Sequence, residues 1–429
     1  MQEIIRCKLM VGYKIKNVIA RQVLDSRGNP TVEATIYVNK SVASAIVPSG
    51  ASTGIHEALE LRDNTKLFGG KGVLVAVKNV NTKIAPAIKN KTFKDQMDFD
   101  TFLIKLDNTV NKAKLGENAI LACSMAFSRA IADSSGKTLY QSLAGNFHNK
   151  NLVLPIPFAN VLNGGVHAGN ALEMQEFMIA PIKANSFSEA TRIVSETYHE
   201  LKSVLQKKYG KNATNVGDEG GFAPPVKTAD ETLKILMNAI ENVGYENKLR
   251  IAMDPASSEF YNKSKKTYLT KKLSAQKLAN YYESLISRYP IVSLEDPFEQ
   301  DDFNAWQSFT ANNKKLQIVG DDLTVTNPAR VQLAIDKKLC NALLLKINQI
   351  GSITESLASA HLADRAGWNV MVSHRSGETE DPYIADLSVG LGLGQIKIGA
   401  PARSDRVAKY NRLLRIEEEL GKKAKFAKF

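Results

Sequence analysis

Cysteines and long apolar runs are scarce in this chain of 429 residues, and their scarcity excludes two classes of protein. The cysteines are Cys7, Cys123 and Cys340, which are odd in number and far apart. A disulfide framework is therefore not expected, and a reducing cytoplasm is the expected location. No apolar run reaches the ~18 residues of a membrane span. The first residues also lack the apolar stretch and small-residue cleavage site of a signal peptide, so we expect no membrane insertion.

Two catalytic signatures and one binding signature are also missing. The chain has no H-E-x-x-H, which excludes a zinc protease of the usual form, and no G-x-x-x-x-G-K-[ST], which excludes a P-loop. Its formal net charge of +12 comes from lysines that are spread along the chain. Nucleic-acid binding would need a basic stripe with interleaved aromatic residues, so no nucleic-acid partner is expected. The positive charge suits an anionic substrate.

The first third of the chain has the pattern of a small α+β domain. Residues 13–48 predict a three-stranded meander, because apolar and more polar residues alternate at positions 31–38. Helical patterns follow at residues 73–88 and 119–132. Strands followed by helices, without alternation, indicate an α+β fold. A polar stretch at 146–151 then divides the chain into an N-terminal capping domain, residues 1–147, and a second domain, residues 148–429.

In the second domain, strands and helices alternate. Strands at residues 154–162 and 176–180 are joined by a connection too short for a crossover helix, which predicts an antiparallel hairpin. Two helices follow, each opened by a capping box, Ser186 with Glu189 and Thr228 with Glu231. Six strand–helix units complete the chain, with strands expected at residues 250–254, 291–295, 317–321, 342–346, 369–373 and 395–398. Two plus six strands predict a closed α/β TIM-type barrel with the irregular order ββαα(βα)6.

Three acids, Asp254, Glu295 and Asp321, end three consecutive apolar strands. The carboxyl ends of barrel strands meet on one face, where such barrels carry their chemistry. Carboxylates brought this close would raise one another's pKa unless a cation neutralises them. Oxygen ligands without histidine or cysteine favour Mg²⁺ over zinc. The triad therefore predicts a metal site, although each acid taken singly could be a helix cap or an ion-pair partner.

Two lysines end later strands of the same barrel. Lys346 follows the apolar run ALLL, and Lys397 lies two strands further along. Two ammonium groups near each other and near divalent cations would lower each other's pKa, and one could then act as a neutral base. The alternative is that both lysines are structural ion-pair partners of the acids.

Several loop residues are further candidates for binding a ligand. One strand is followed by His374, Arg375 and Ser376, and this triplet predicts an anion clamp. The segment 47–56, VPSGASTGIH, is either a plain surface loop or a mobile lid that meets a ligand on closing. Loops around the irregular quarter of the barrel supply His167, Gln175, Glu176 and Glu219. Glu219, in GDEGG, has the backbone freedom to reach a substrate, or it is an acid on a solvated turn.

These motifs resemble those of the enolase family along nearly the whole chain. The matching stretches are LDSRGNPTVE, VPSGASTG, VLNGGVHAGN, MQEFMIAP, GDEGGFAP, DPASSEF, LEDP, GDDLTVTNP, LLLKINQIG, SHRSGETED and QIKIGAPARSDR. The resemblance implies a carbon–oxygen lyase that reversibly dehydrates 2-phosphoglycerate to phosphoenolpyruvate in glycolysis and gluconeogenesis.

The resemblance also implies a role for each candidate residue. Asp254, Glu295 and Asp321 would bind a conformational Mg²⁺, and Ser52 in the lid would recruit a second, catalytic Mg²⁺. Lys346 would remove the C2 proton, Lys397 would stabilise the resulting enolate, and Glu219, helped by Glu176, would protonate the departing C3 hydroxyl. Arg375 and Ser376 would grip the phosphate. His167, counted with the catalytic residues, would complete the pocket with Gln175 and His374.

Two rival interpretations remain at this stage. A racemase or cycloisomerase of the wider superfamily would carry a K-x-K pair on the second barrel strand, but residues 176–180 contain no lysine. The second rival is a non-catalytic role, plasminogen binding at a cell surface through lysines of the stretch 260–269 and Lys428. The protein could also reach the outside as a secreted pool that uses no signal peptide. The alternative is an exposed basic hairpin. The resemblance further implies a homodimer or an octameric ring of dimers.

Overall fold

A four-stranded antiparallel sheet opens the part of the chain described by this computed structural model, which covers residues 12–51 and 54–429. The side chain of His167 and all of Ser52 lie outside the described part. The sheet has the order β3-β2-β1-β4 and contains the predicted meander plus one short strand. Its strands are β1 (Tyr13–Leu24), β2 (Pro30–Val38), β3 (Ser41–Ile46) and β4 (Thr92–Phe93).

Helices cover one face of this sheet. The two predicted helical regions are confirmed: the first is α1 and α2, joined by a π-helical turn at Val80–Ile84, and the second is the long helix α4. Fifteen of the 18 residues of α4 are buried, because it packs between the sheet and the barrel. The helices of this region are α1 (Leu74–Asn79), α2 (Ala85–Ile88), α3 (Gln96–Asp107), α4 (Glu117–Ser134) and α5 (Leu139–Asn146).

The remaining chain forms a closed eight-stranded barrel, which confirms the predicted order ββαα(βα)6. The hairpin strands are β5 (Ile156–Asn163) and β6 (Glu176–Ala180), and β6 runs antiparallel to both of its neighbours. The helices that follow are α6 (Phe187–Tyr209) and α7 (Ala229–Asn242), with Ser186 and Thr228 as their N-caps, as the capping boxes predicted.

Six further barrel strands alternate with helices, and a small hairpin follows the first of them. These elements are β7 (Arg250–Asp254), β8 (Tyr261–Asn262), β9 (Thr267–Tyr268), α8 (Ala275–Arg288), β10 (Ile291–Glu295), α9 (Phe303–Asn312), β11 (Gln317–Gly320), α10 (Pro328–Lys337), β12 (Ala342–Leu345), α11 (Ile347–Ile350), α12 (Ile353–Arg365), β13 (Asn369–Ser373), α13 (Tyr383–Leu391), β14 (Gly394–Lys397) and α14 (Ser404–Leu420).

Apolar side chains fill the interior of the barrel rather than leaving a pore. Phe158, Met178, Leu344 and Met371 belong to one buried interior cluster, which is the layered filling expected of such barrels. At the amino end of the strands, Phe426 pairs with Leu154 and closes the bottom. The cavity described below lies at the other end, at the carboxyl ends of the strands.

A single apolar core joins the sheet and helices of the N-terminal region to one side of the barrel. Arg129 on α4 pairs with Asp381 before α13, and Ser124 accepts a hydrogen bond from the backbone N–H of Ile353. The N-terminal region therefore packs directly against the barrel. The division of the chain at residues 147 and 148 stays a prediction.

Within the described residues, no helix combines the length and the apolar character needed to cross a membrane. Both cysteines there, Cys123 and Cys340, are unpaired and buried. Burial raises the pKa of Cys123 to about 12, so this thiol is not a nucleophile at neutral pH.

Candidate active site at the carboxyl ends of the barrel strands

The carboxyl ends of the barrel strands surround one polar cavity. The reversed strand β6 contributes its first residue to this rim, because Glu176 pairs with Asp254 at the end of β7. The cavity brings together most of the residues that the sequence nominated: Gln175, Glu176, Glu219, Asp254, Asp321, Lys346, His374, Arg375, Ser376 and Lys397 line it. Glu295 lies against the same group through Lys397.

Lys397 is the centre of a buried charge cluster. Its Nζ lies 2.9 Å from Glu176 Oε2, 3.2 Å from Asp254 Oδ2 and 2.8 Å from Glu295 Oε1. Burial alone would lower the pKa of this ammonium, but the three carboxylates outweigh it and hold the pKa well above its usual value. Lys397 is therefore charged at neutral pH.

Lys346 forms a second ion pair, with Asp321. It lies just past β12 and caps α11, and its side chain is about 12% exposed to the cavity. Burial favours the neutral amine, yet the Asp321 charge raises the pKa of Lys346 above its usual value. In this structure each lysine contacts carboxylates that raise its pKa, as the alternative of ion-pair partners describes. The lowered lysine pKa was expected beside divalent cations, so it stays a prediction.

Crowding raises the pKa of several acids at the rim. Burial is the main cause for Glu295, and the nearby Asp254 adds to it. Burial and the neighbouring Glu219 likewise hold the pKa of Glu176 well above its usual value. Of the predicted triad, Glu295 therefore has the raised pKa that the sequence argument expected. Burial acts to raise the pKa of Asp321 as well, but the charge of Lys346 outweighs burial and lowers it.

The carboxylates fall into two groups rather than one tight triad. Asp254 and Glu295 are bridged by Lys397, whereas oxygens of Asp321 lie within 4.8 Å of oxygens of Asp296 and Asp322. Asp296 also accepts hydrogen bonds from the backbone N–H groups of the other two. The donor set is made only of carboxylate oxygens, which fits a hard divalent cation such as Mg²⁺. Asp296 and Asp322 were missed in the sequence although LEDP and GDDL place them beside the predicted ligands.

Glu219 lines the same cavity. Asn160 on β5 donates from Nδ2 to Glu219 Oε2 at 3.0 Å, and His374 Nε2 lies 3.3 Å from the same oxygen. Burial lowers the pKa of His374 to about 4, even though the Glu219 charge acts to raise it. His374 is therefore neutral at pH 7. Asn160 gave no signal in the sequence, since it sits within an apolar strand.

Arg375 is held at the cavity by a carboxylate from the N-terminal region. Its Nη1 lies 3.0 Å from Glu57 Oε2, and its Nη2 lies 3.2 Å from Glu57 Oε1. Gly50 makes this approach possible, because a Cβ at that position would lie 1.9 Å from Arg375 Nη2. The Glu57 carboxylate thus pairs with the Arg375 guanidinium in this structure, which supports the interpretation of Arg375 as an anion-binding residue.

The other nominated residues are only partly described. Ser376 is buried at the rim, and Gln175 is buried there with its Oε1 lacking a hydrogen-bond partner, as in a site built for a ligand donor. Ser52 and the side chain of His167 lie outside the described residues. The segment before Ser52 contacts the anion clamp, since Ser49 and Gly377 pair through two backbone hydrogen bonds of 2.7 and 2.8 Å.

Comparison with known proteins identifies the family. Residues 15–143 match the family described as "Enolase, N-terminal domain", and residues 151–428 match "Enolase, C-terminal TIM barrel domain". The chain belongs to the enolase family. It is similar to Enolase 1 of Entamoeba histolytica, with 56% identity over 420 residues that cover 95% of this chain and 96% of that protein. As a member of this family it is a carbon–oxygen lyase of the phosphopyruvate hydratase type, and it acts in glycolysis.

Proposed function

We propose that the cavity at the carboxyl ends of the strands reversibly dehydrates 2-phosphoglycerate to phosphoenolpyruvate, with Lys346 as the base and Glu219 as the acid. The observation that carries this proposal is that Lys346, Lys397 and Glu219 line the same cavity. A base and an acid within reach of one substrate are what the removal of a C2 proton and a C3 hydroxyl requires.

Two Mg²⁺ ions per site belong to the proposal. Asp254, Glu295 and Asp321 would hold the first ion, and Ser52 would contribute to the second. When bound, these ions would stabilise the negative charge that develops on the substrate carboxylate. The carboxylate donors support the first site, because oxygen ligands of this kind suit Mg²⁺.

Lys346 is proposed as the base that takes the C2 proton onto Nζ. Its present partner, Asp321, is one of the proposed ligands, so a cation that neutralises Asp321 would also remove the charge that raises the pKa of Lys346. Lys397 would stay protonated among its three carboxylates and would stabilise the negative charge of the enolate.

Glu219 is proposed as the acid for the second half of the reaction. Its proton passes to the C3 oxygen, the C3–O bond breaks with its electron pair to release water, and the enolate electrons form the C2–C3 double bond. Glu176 would assist Glu219, because burial and the neighbouring Glu219 hold the pKa of Glu176 well above its usual value. Arg375 and Ser376 would bind the phosphate, and His167, Gln175 and His374 would complete the pocket.

The base is tested by Lys346→Ala. We expect turnover of 2-phosphoglycerate to fall by at least a factor of about 10³, since general base catalysis contributes roughly 10²–10⁴-fold. Magnesium binding, measured by calorimetry, should persist because the carboxylates remain. A matched control is Lys338→Ala, a lysine after α10 that is exposed and outside the cavity. Near wild-type dehydration by Lys346→Ala would refute the assignment.

Assembly and location are secondary parts of the proposal. A homodimer or an octameric ring of dimers is proposed from the family, and sedimentation at micromolar concentration distinguishes the two. A cytoplasmic location is supported by the two buried, unpaired thiols, Cys123 and Cys340.

Plasminogen binding at a cell surface is a second candidate function. The hairpin formed by β8 and β9 exposes Lys263, Lys265 and Lys266. A triple alanine variant of these lysines should lose plasminogen binding and keep full dehydration activity. Unchanged binding by that variant would remove this candidate.

A further inference from the structure

Arg406 is a fully buried arginine that no step of the proposed reaction uses. It lies in the first turn of α14, and its exposed fraction is 0%. An arginine cannot be deprotonated in a protein, so its guanidinium carries a full charge and five donors into the interior. Such a group is costly to bury unless its surroundings supply acceptors.

The acceptors come from two separate loops at the cavity. From the loop after β13, Arg406 Nη1 contacts His374 Nδ1 at 2.6 Å and the carbonyl oxygen of Arg375 at 2.5 Å, and Nη2 contacts that of Ser376 at 2.6 Å. From the loop before Glu219, Nη2 also contacts the carbonyl oxygen of Asp218 at 3.0 Å. Asp405 Oδ2 lies 3.0 Å from Nε and provides the counter-charge. One side chain thus ties the anion clamp to the loop that carries the proposed acid.

The contact with His374 determines where the imidazole carries its proton. A guanidinium can only donate, so Nδ1 of His374 must accept and must be unprotonated. A neutral imidazole with an unprotonated Nδ1 carries its proton on Nε2. The pKa of His374, lowered to about 4 chiefly by burial, keeps the ring neutral at pH 7.

The Nε2 side of the imidazole lies beside the proposed acid. His374 Nε2 is 3.3 Å from Glu219 Oε2, a close contact in which the N–H is not aligned as a hydrogen bond. Asn160 Nδ2 donates to the same Oε2 at 3.0 Å. One N–H group bonded to Oε2 and a second one beside it favour placing the carboxyl proton on Oε1, and they stabilise the carboxylate after that proton has left.

We propose that Arg406 is a positioning residue: it fixes His374 in the Nε2-protonated form, so that His374 and Asn160 together orient Glu219 to donate its proton from Oε1. This inference rests on the proposed role of Glu219 as the acid. Its first part, the state of His374, does not depend on that role and is measured separately.

The state of His374 is tested on the wild-type protein by nitrogen-15 NMR with labelled histidine. The chain contains six histidines, and the His374 signals are those that disappear in His374→Gln. At pH 7 we expect a protonated Nε2 and an unprotonated Nδ1. A proton on Nδ1, or protons on both nitrogens, would overturn the inference whether or not any Arg406 variant folds.

The consequence for catalysis is tested with Arg406→Lys. Lysine keeps the charge but cannot reach acceptors in both loops from one planar group. We expect dehydration to fall about 10–100-fold, as for other residues that orient a functional group, while exchange of the C2 proton with solvent falls much less. The His374 signals should also change towards a mixture of the two neutral forms. Equal losses of exchange and dehydration, or no loss of either, would contradict the proposal.

A matched control lies on the same helix. Arg412 also pairs with buried and exposed acids, Asp386 and Glu419, and it contacts none of the cavity residues. Arg412→Lys should leave both the exchange-to-dehydration ratio and the His374 signals unchanged. If Glu219→Gln fails to separate exchange from dehydration while His374 has the expected protonation, then the proposed acid is wrong and the action of Arg406 on His374 stands.

Discussion

Glu219 and Lys346 have separate proposed roles, so the side chain of one can be changed while the other still performs its step. For Glu219→Gln we expect dehydration to fall by a factor of about 10²–10⁴, the usual contribution of a general acid, because the amide has no transferable proton. Exchange of the C2 proton in heavy water should survive better, since it needs only the base. A coupled assay measures the first rate and proton NMR of the substrate the second. Equal loss of both rates would argue against Glu219 as the acid.

Gly50 provides a test of the anion clamp that changes no charged group. In Gly50→Ala the new Cβ would lie 1.9 Å from Arg375 Nη2, so the guanidinium must move. A charge-assisted hydrogen bond contributes about 1.5–3 kcal/mol. We therefore expect kcat/KM for 2-phosphoglycerate to fall by at least about tenfold, chiefly through KM. Gly145→Ala is the control, because no atom lies within 4 Å of a Cβ added at that position. A similar loss of kcat/KM in Gly145→Ala would contradict the explanation.

At the scale of elements, one buried ion pair joins helix α4 to the barrel. Arg129 Nη2 lies 2.5 Å and Nη1 2.7 Å from the carboxylate oxygens of Asp381. Burial acts to raise the pKa of Asp381, but the Arg129 charge and its hydrogen bonds outweigh burial and lower it. A carboxyl whose folded pKa is below its unfolded value, about 3.9, stabilises the fold above that pH. This stabilisation is lost as pH falls through the folded pKa.

For Asp381→Asn we therefore expect a loss of about 3 kcal/mol of unfolding free energy at pH 7, as for other buried pairs with one partner removed. The difference from wild type should shrink below about pH 4. Urea unfolding at a series of pH values measures both. Glu196→Gln, in the exposed pair with Arg192, should cost less than about 1 kcal/mol. A loss for Asp381→Asn that is independent of pH would show that the carboxylate charge is not what stabilises the contact.

Most elements were predictable from local patterns, and the misses have physical causes. Strands such as β7 and β10 match their predicted bounds because each is a short, mostly apolar run that ends in an acid. The short strand β4 was missed because two residues carry no periodicity. Helix α3 was missed as well, although Asp95 caps it.

Site residues that lie at the ends of barrel strands were predictable from the sequence. Residues that contact the cavity from other segments of the chain were not. Asp254, Lys346 and Lys397 lie at the ends of apolar runs, so topology alone brings them together. Glu57 and Arg406 contact the cavity only through packing between segments distant in sequence, and Arg406 is 188 residues from the Asp218 carbonyl it binds. The carboxylate partners of the two lysines were not predictable from strand order, because the lysine pKa values depend on the individual carboxylates that each ammonium contacts.

At the scale of the whole molecule, the proposed Mg²⁺ site predicts that metal binding stabilises the fold. A ligand that binds only the folded state stabilises it by about 2.7 kcal/mol at 100 times its dissociation constant. We expect Mg²⁺ to raise the melting temperature and EDTA to reverse the rise. The rise should be lost in Asp321→Asn and kept in Asp336→Asn, which changes an exposed acid on α10. Differential scanning calorimetry measures this, and an unchanged rise in Asp321→Asn would exclude that carboxylate as a ligand.

Because β6 runs against its neighbours, one uninterrupted stretch, residues 163–176, enters and leaves the barrel at its mouth. His167, Gln175 and Glu176 therefore belong to one continuous segment, whereas the other site residues come from the ends of separate strands and from other loops. Exchanging this one segment between related barrels would therefore replace three candidate groups together, without altering the register of any parallel strand.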